Sequence, residues 1–196
     1  MLIAICGQKF SGKSTVANML SEMLDHKVDS FARPLKEIVC VLSGCTMEQL
    51  EDYDFKENEV VPEHLWAFCA NEKHNYRSLL QGMGDYLRSK NPNIFIDSVL
   101  VGDTSNLIIS DCRFPNEAKA IRDRGGLIVK VVRDGVVNKD SHSSETNIEN
   151  IAGNIIVFND GSLEHLKAMV DMLAKLIITN DINPYMIKEI HIEYIE

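Results

Sequence analysis

The chain opens on an unbroken apolar run, Leu2-Ile3-Ala4-Ile5-Cys6, too short for a helix and stopped by Gly7, so it reads as a buried strand. After a short glycine-bounded turn, Val16, Met19, Leu20, Met23 and Leu24 fall at helical spacing and predict an amphipathic helix over 14–24. Val28 to Phe31 suits a second short strand. Pro34 then opens a helix running to about Leu42, because its fixed φ fits a first turn where its missing donor is not needed. The stretch 46–75 has no clear period. It is acidic at first (Glu48, Glu51, Asp52, Asp54, Glu57, Glu59) and then aromatic (Trp66, Phe68), and it reads as irregular chain with a helix near 62–71. Leu79, Leu80, Met83 and Leu87 predict a helix over 76–89. Residues 93–101 read as another, although Ile-Phe-Ile and Val-Leu-Val also suit a strand.

From 106 the pattern sharpens. Leu107-Ile108-Ile109 is a buried strand ending at Ser110-Asp111, and Pro115 to Arg124 is a helix stopped by Gly125-Gly126. Leu127 to Val132 is a strand ending at Arg133, residues 134–153 are polar and read as a mobile loop, and Ile155 to Phe158 is a further strand. Asn159-Asp160-Gly161-Ser162 starts a helix with Leu163, Leu166, Met169, Val170, Leu173 and Leu176 on one face. The alternation Glu189-Ile190-His191-Ile192-Glu193-Tyr194 suits an edge strand or a disordered tail. Strands alternating with helices predict an α/β fold, a parallel sheet covered on both faces. In such a sheet polar residues at the strands' carboxyl ends converge on one place.

Composition narrows the class. The 196 residues suit one domain with a full core, and 45% hydrophobic with 25% charged residues is ordinary for a globular chain. A net charge of −9 argues against a general nucleic-acid binder. No stretch approaches the roughly 18 apolar residues of a membrane span, and the N-terminus lacks the basic start and cleavage site of a signal peptide. The five cysteines, Cys6, Cys40, Cys45, Cys69 and Cys112, include no C-x-x-C pair and read as reduced thiols of a cytoplasmic protein, with no structural zinc.

The turn after the first strand carries the chemistry. Gly7-Gln8-Lys9-Phe10-Ser11-Gly12-Lys13-Ser14 fits G-x-x-x-x-G-K-[ST] in full, between an apolar strand and an amphipathic helix. Its glycines let backbone N–H groups face phosphates, Lys13 charges the β- and γ-phosphates, and the Ser14 hydroxyl is a Mg²⁺ ligand beside the positive end of the helix. A guanine-reading N-K-x-D is missing: in Asn138-Lys139-Asp140 the aspartate comes one place early. Asp111 stands where a carboxylate holds Mg²⁺ or its water, unless it caps the following helix. Arg113, two residues on, and Arg133 face the same cleft in this reading, whereas Arg122 and Arg124 fall on a charged helix face. Several arginines without a well-placed histidine suit an anionic acceptor, for which transfer is a matter of holding two repelling anions in line. Asp29, at the end of the second strand, keeps open a hydroxyl acceptor with a carboxylate base.

These residues, in order, resemble the phage-type deoxynucleoside monophosphate kinases, a family of the P-loop nucleotide-kinase group. The resemblance covers most of 1–177 and rests on the Gly7–Thr15 loop, Phe31-Ala32-Arg33-Pro34-Leu35-Lys36, and Arg77-Ser78-Leu79-Leu80-Gln81-Gly82-Met83-Gly84. It continues through Asp111-Cys112-Arg113, the Glu117-to-Gly125 helix, Val131-Val132-Arg133, His142 with Glu145, and Asn159-Asp160-Gly161-Ser162-Leu163-Glu164. It implies a three-layer P-loop fold over 1–181, with a variable substrate-side region at about 43–75, a lid-like loop at about 134–153 and a tail at 182–196. It also implies ATP and Mg²⁺ bound by Gly7, Lys9, Ser11, Gly12, Lys13, Ser14 and Thr15, with Asp111 on the metal and Asn159 beside the adenine. Phe31, Ala32, Lys36, Arg77, Gln81, His142 and Glu145 would line the deoxynucleoside monophosphate site, and Lys13, Arg113, Arg133 and Asp111 would act in transfer. A homodimer in the cytoplasm, of the host if the chain is phage-encoded, fits the same resemblance. Other readings are a P-loop kinase of another small acceptor, such as dephospho-coenzyme A or phosphomevalonate, and a nucleotide-dependent switch protein.

Overall fold

The computed structural model describes residues 1–135 and 147–179 in full and the backbone of 188–190. Along the chain the elements are β1 (Leu2–Cys6), α1 (Lys13–Leu24), β2 (Lys27–Asp29), α2 (Arg33–Ser43), α3 (Met47–Glu51) and α4 (Tyr53–Asn58), then a 3₁₀ segment at Glu63–Phe68. There follow α5 (Tyr76–Lys90), α6 (Ile94–Val99), β3 (Leu107–Cys112), α7 (Pro115–Asp123), β4 (Leu127–Val132), a second 3₁₀ segment at Asn147–Asn150, β5 (Ile155–Phe158), α8 (Leu163–Ile178) and β6 (Lys188–Ile190). They form two compact units, one of Met1–Ser30 with the chain from Leu100 onward, the other of Phe31–Val99.

The first unit is the expected α/β fold. Its sheet has the order β2-β3-β1-β4-β5-β6, and every pairing is parallel. Strand period two splits the buried residues. Ile3, Ile5, Val129, Val131 and Val157 meet α1 and α8 on one face, while Ala4 and Ile128 point to the other, where α7 packs on β1 and β4. The result is three layers. Parallel pairing puts the carboxyl ends of the strands on one edge, and the segments after Cys6, Cys112, Val132 and Phe158 all leave from it. The chain leaves β1 toward β2 and leaves β4 toward β5, in opposite directions, so the crevice for a ligand lies between these two neighbours.

One expectation is corrected here, and of the two readings of the tail the edge strand is the one observed. The polar 134–153 stretch is not wholly loop: its described part contains the 3₁₀ turn at Asn147–Asn150, and Ile148 and Ile151 are each 1% exposed. Lys130 of β4 holds that turn by donating to the Ile148 and Ile151 carbonyls at 3.3 and 3.0 Å. In the tail, 188–190 extends the sheet as β6 beside β5.

The second unit is helical, with a core of Phe31, Leu35, Leu50, Leu65, Leu79 and Met83. The expected helix near 62–71 is a 3₁₀ segment, and α3 and α4 precede it. Both are fixed by their ends. Thr46 and Gln49 form a reciprocal capping box, and the Asp52 carboxylate accepts from Phe55 N at 2.6 Å. Gly82 on α5 is required by close approach, since a Cβ there would lie 2.2 Å from the Phe68 carbonyl oxygen.

Candidate active site

At the β1 end, the eight-residue loop closes around Lys13. Gly12 is the N-cap of α1 at φ 99, a left-handed conformation that glycine tolerates. The Lys13 ammonium is buried with its chain and donates to the Gln8 carbonyl at 2.5 Å, so it is held across the mouth of the loop. The Asn159 amide, at the β5 end, donates to the Ser11 carbonyl at 2.9 Å. A Cβ on Gly12 would come within 2.4 Å of that amide nitrogen, and one on Gly7 within 2.3 Å of the Val131 carbonyl oxygen. Both glycines of the motif are thus demanded by packing. Asn159, expected beside an adenine, braces the loop through its bond to Ser11. Ser14 is exposed and Thr15 half-buried on the first turn of α1, and Lys9 lies 5.2 Å from the ring of the exposed Phe10.

A cavity of about 330 Å³ lies at the crevice between β1 and β4. Gly7, Gln8 and Ser11 line one wall and Val131 to Gly135, Ile148 and Glu149 the other. The Ser11 hydroxyl is buried and has no hydrogen-bond partner among the described residues. A buried, unanswered hydroxyl in a cavity wall suits a ligand oxygen such as a phosphate's. Arg133, exposed at the end of β4, borders the same cavity. Beyond it Asp134 N donates to Asp160 at 2.6 Å, tying the segment to the turn before α8.

At the β3 end the register with β1 slips. Ala4 pairs with Ile109 but Cys6 with Cys112, so β3 carries one extra residue at Ser110–Asp111. Such a bulge re-aims side chains at a strand's end. Asp111 is half-buried there, and the Ser110 hydroxyl donates to the Asp29 carbonyl at 3.2 Å. Asp29 turns its own carboxylate to Ser30 N at 2.7 Å. Asp111 is not the cap of α7. That role falls to Glu117, 3% exposed, whose Oε2 accepts from Arg113 N at 2.8 Å and Phe114 N at 3.0 Å. Sequence reasoning placed Glu117 on the helix without giving it this capping role, although Pro115 at N1 with an acidic residue two places on is the signal of a helix start. Below the site, burial pushes the Cys6 thiol up to about 11 and Cys112 well above its ordinary value, so neither is a nucleophile.

In the helical unit, Phe31 is buried at the start of α2 and Ala32 caps it, while Lys36, Arg77 and Gln81 are half-buried. Lys36 pairs with Glu51, and Arg77 Nε donates to Glu57 at 2.8 Å. Lys56, which sequence reasoning missed, donates to the Leu50 and Glu51 carbonyls at 2.6 and 2.9 Å. Desolvation, with Lys36 and Arg77 nearby, lowers its ammonium to about 8. Arg122 and Arg124 bind the Ala152 and Ala120 carbonyls, consistent with a structural face. His142, Glu145 and the Asn138-Lys139-Asp140 stretch lie outside the described residues.

Ser14 and Asp111 carry oxygen donors, the hard ligand type that Mg²⁺ takes. Among the described residues no three acidic, His or Cys side chains cluster as a metal site. No described helix is long and apolar enough to cross a membrane.

A parallel sheet covered by helices on both faces, with this loop at its switch point, defines a P-loop nucleotide-binding fold. Comparison with known proteins gives the particular group. The family model for deoxynucleotide monophosphate kinase matches residues 68–170, a stretch that excludes the loop. A protein of Acanthamoeba polyphaga mimivirus, provisionally named a deoxynucleotide monophosphate kinase, is 31% identical over 188 residues, covering 87% of this chain and 94% of its own. The deoxynucleotide monophosphate kinases of Escherichia phage RB69 and Enterobacteria phage T4 are 29% identical over 73 residues and 33% over 70, about a third of this chain (37% and 36%) and 30% and 29% of theirs. The chain belongs to the deoxynucleotide monophosphate kinase family. It is a kinase with a nucleotide donor and a nucleotide monophosphate acceptor.

Proposed function

We propose that this chain transfers the γ-phosphoryl group of ATP to a deoxynucleoside monophosphate, giving ADP and the deoxynucleoside diphosphate. The carrying observation is the loop with Lys13 held across its mouth at the crevice between β1 and β4. In this reading backbone N–H groups of Gly7 to Thr15 bind the donor's phosphates, Lys13 answers the charge on β- and γ-oxygens, and the Ser11 hydroxyl gains a phosphate acceptor. Ser14 and Asp111 would hold Mg²⁺, which supplies charge neutralisation on the triphosphate. Arg113, its backbone fixed by Glu117, and Arg133 balance charge on the transferring group. Phe31, Ala32, Lys36, Arg77 and Gln81 hold the acceptor, whose phosphate is already anionic near neutral pH and needs no strong base. The Asp29 carboxylate, satisfied by Ser30 N, gives no added support to a hydroxyl acceptor. A coupled assay of ADP release with ATP, Mg²⁺ and the four common deoxynucleoside monophosphates tests the reading. At least one should stimulate release well above background, and failure of all four rejects it.

A further inference from the structure

We propose that Lys56 is a third cation for the acceptor's phosphate, joining Lys36 and Arg77 of the same helical unit; this rests on the kinase reading above. Residues 53, 56 and 57 lie at i, i+3 and i+4 on α4, so Tyr53, Lys56 and Glu57 share one face of the helix. That face meets α5 and α3. Arg77 lies 5.9 Å from the Tyr53 ring and bonds Glu57, while Lys56 reaches back to α3, whose Glu51 pairs with Lys36. Three cations therefore converge from α2, α4 and α5.

They are not equivalent. Lys36 and Arg77 each have a carboxylate partner. Lys56 donates to two neutral carbonyls, and among the described residues no carboxylate stands within ion-pairing distance of it. A half-buried ammonium set beside two other cations is costly by itself, and Coulomb repulsion favours a dianion in their midst. The burial and the neighbouring charges that lower Lys56 to about 8 express the same strain. The charged groups that face it are Lys36 from α2, Arg77 from α5, Glu51 at the end of α3 and Asp52 ahead of α4. A monophosphate ester bearing two charges near neutral pH meets this arrangement. The competing role is structural, a lysine that only satisfies the last carbonyls of α3.

Steady-state kinetics of the full chain separate the two, with ATP and whichever of dAMP, dCMP, dGMP and dTMP is turned over fastest. Lys56→Met should raise the acceptor KM about tenfold or more, the loss expected for one charge-assisted contact, and leave the KM for ATP within about twofold. Lys56→Arg should keep most of the acceptor affinity. The wild-type acceptor KM should rise between pH 7 and 9 as Lys56 loses its proton, with the acceptor already a dianion throughout, and that rise should vanish in Lys56→Arg. The assignment is overturned by an unchanged acceptor KM in Lys56→Met, by an equal rise in the KM for ATP, or by a wild-type acceptor KM that is flat over this range. If Lys56→Met does not fold, the wild-type and Lys56→Arg pH profiles decide. A wild-type chain inert toward all four monophosphates sinks the kinase reading and this assignment with it, whereas an active wild type indifferent to Lys56 sinks the assignment alone.

Discussion

Gly12 answers two demands at once, a left-handed φ of 99 and the approach of the Asn159 amide, 2.4 Å from where a Cβ would stand. Gly12→Ala should therefore cost more than Asn159→Ala, which loses one hydrogen bond to Ser11 worth about 1 kcal/mol. In the double variant the contact is relieved while the φ strain stays, so urea unfolding should show a loss smaller than the sum of the singles. Additive losses would mean that the brace and the glycine are independent. The proposed transfer gives Lys13 and Arg113 direct roles. Lys13→Ala should nearly abolish ADP release. Arg113→Ala should lower kcat/KM by roughly 3–5 kcal/mol of transition-state stabilisation, and a change under about threefold would remove Arg113 from the machinery. The loop was legible because phosphate chemistry fixes residue identity at fixed spacing. The brace was not, since an asparagine 148 positions from Ser11 carries no local sign of what its amide touches.

At the scale of elements, α7 shows how a helix start fixes the backbone that leads into it. Glu117 spends one buried carboxylate oxygen on the N–H groups of Arg113 and Phe114. Glu117→Ala should destabilise the chain by about 1–3 kcal/mol by leaving these donors unanswered, and kcat should fall with it because Arg113 loses its anchor. Glu117→Gln keeps an acceptor oxygen and should cost less on both measures. Equal effects of the two would mean that the carboxylate charge matters more than the cap. The long helices and β1, β3, β4 and β5 were legible because each repeats its period often enough to be counted. At five and six residues, α3 and α4 are too short for a helical period to emerge, and they exist through caps at Thr46 and Asp52. Their invisibility hid Lys56, whose position is set by the α4 face rather than by any motif. The second 3₁₀ turn was hidden in turn by the polar residues around Ile148 and Ile151.

For the molecule as a whole, alkaline pH sets buried thiols against Lys56. Cys6 is fully buried in the central strand, and burial raises its thiol from 9.0 to about 11. Between those values the unfolded chain releases the proton and the folded chain keeps it, so folding stability is intact below pH 9 and is lost as pH rises through about 11. The displacement corresponds to about 3 kcal/mol. Cys112 shifts in the same direction for the same reason and adds to the loss. Lys56 acts oppositely: its folded value lies at about 8, below the ordinary 10.5, so its deprotonation lets stability rise between those two values. Half-buried, Lys56 counts for less than its displacement suggests, because solvent screens it. The chain's net charge of −9 at pH 7 also grows more negative as the pH climbs, which adds self-repulsion on the side of the thiols. The melting temperature should therefore hold to about pH 9 and then decline steeply, at roughly 2–4 °C per kcal/mol for a chain of this size. Cys6→Ala should melt lower at pH 7 yet decline less from pH 9 to 11, because it has no thiolate to gain on unfolding. A decline equally steep in Cys6→Ala would transfer the alkaline loss to Cys112 and the net charge, whereas a wild-type curve level to pH 11 would contradict the burial of both thiols.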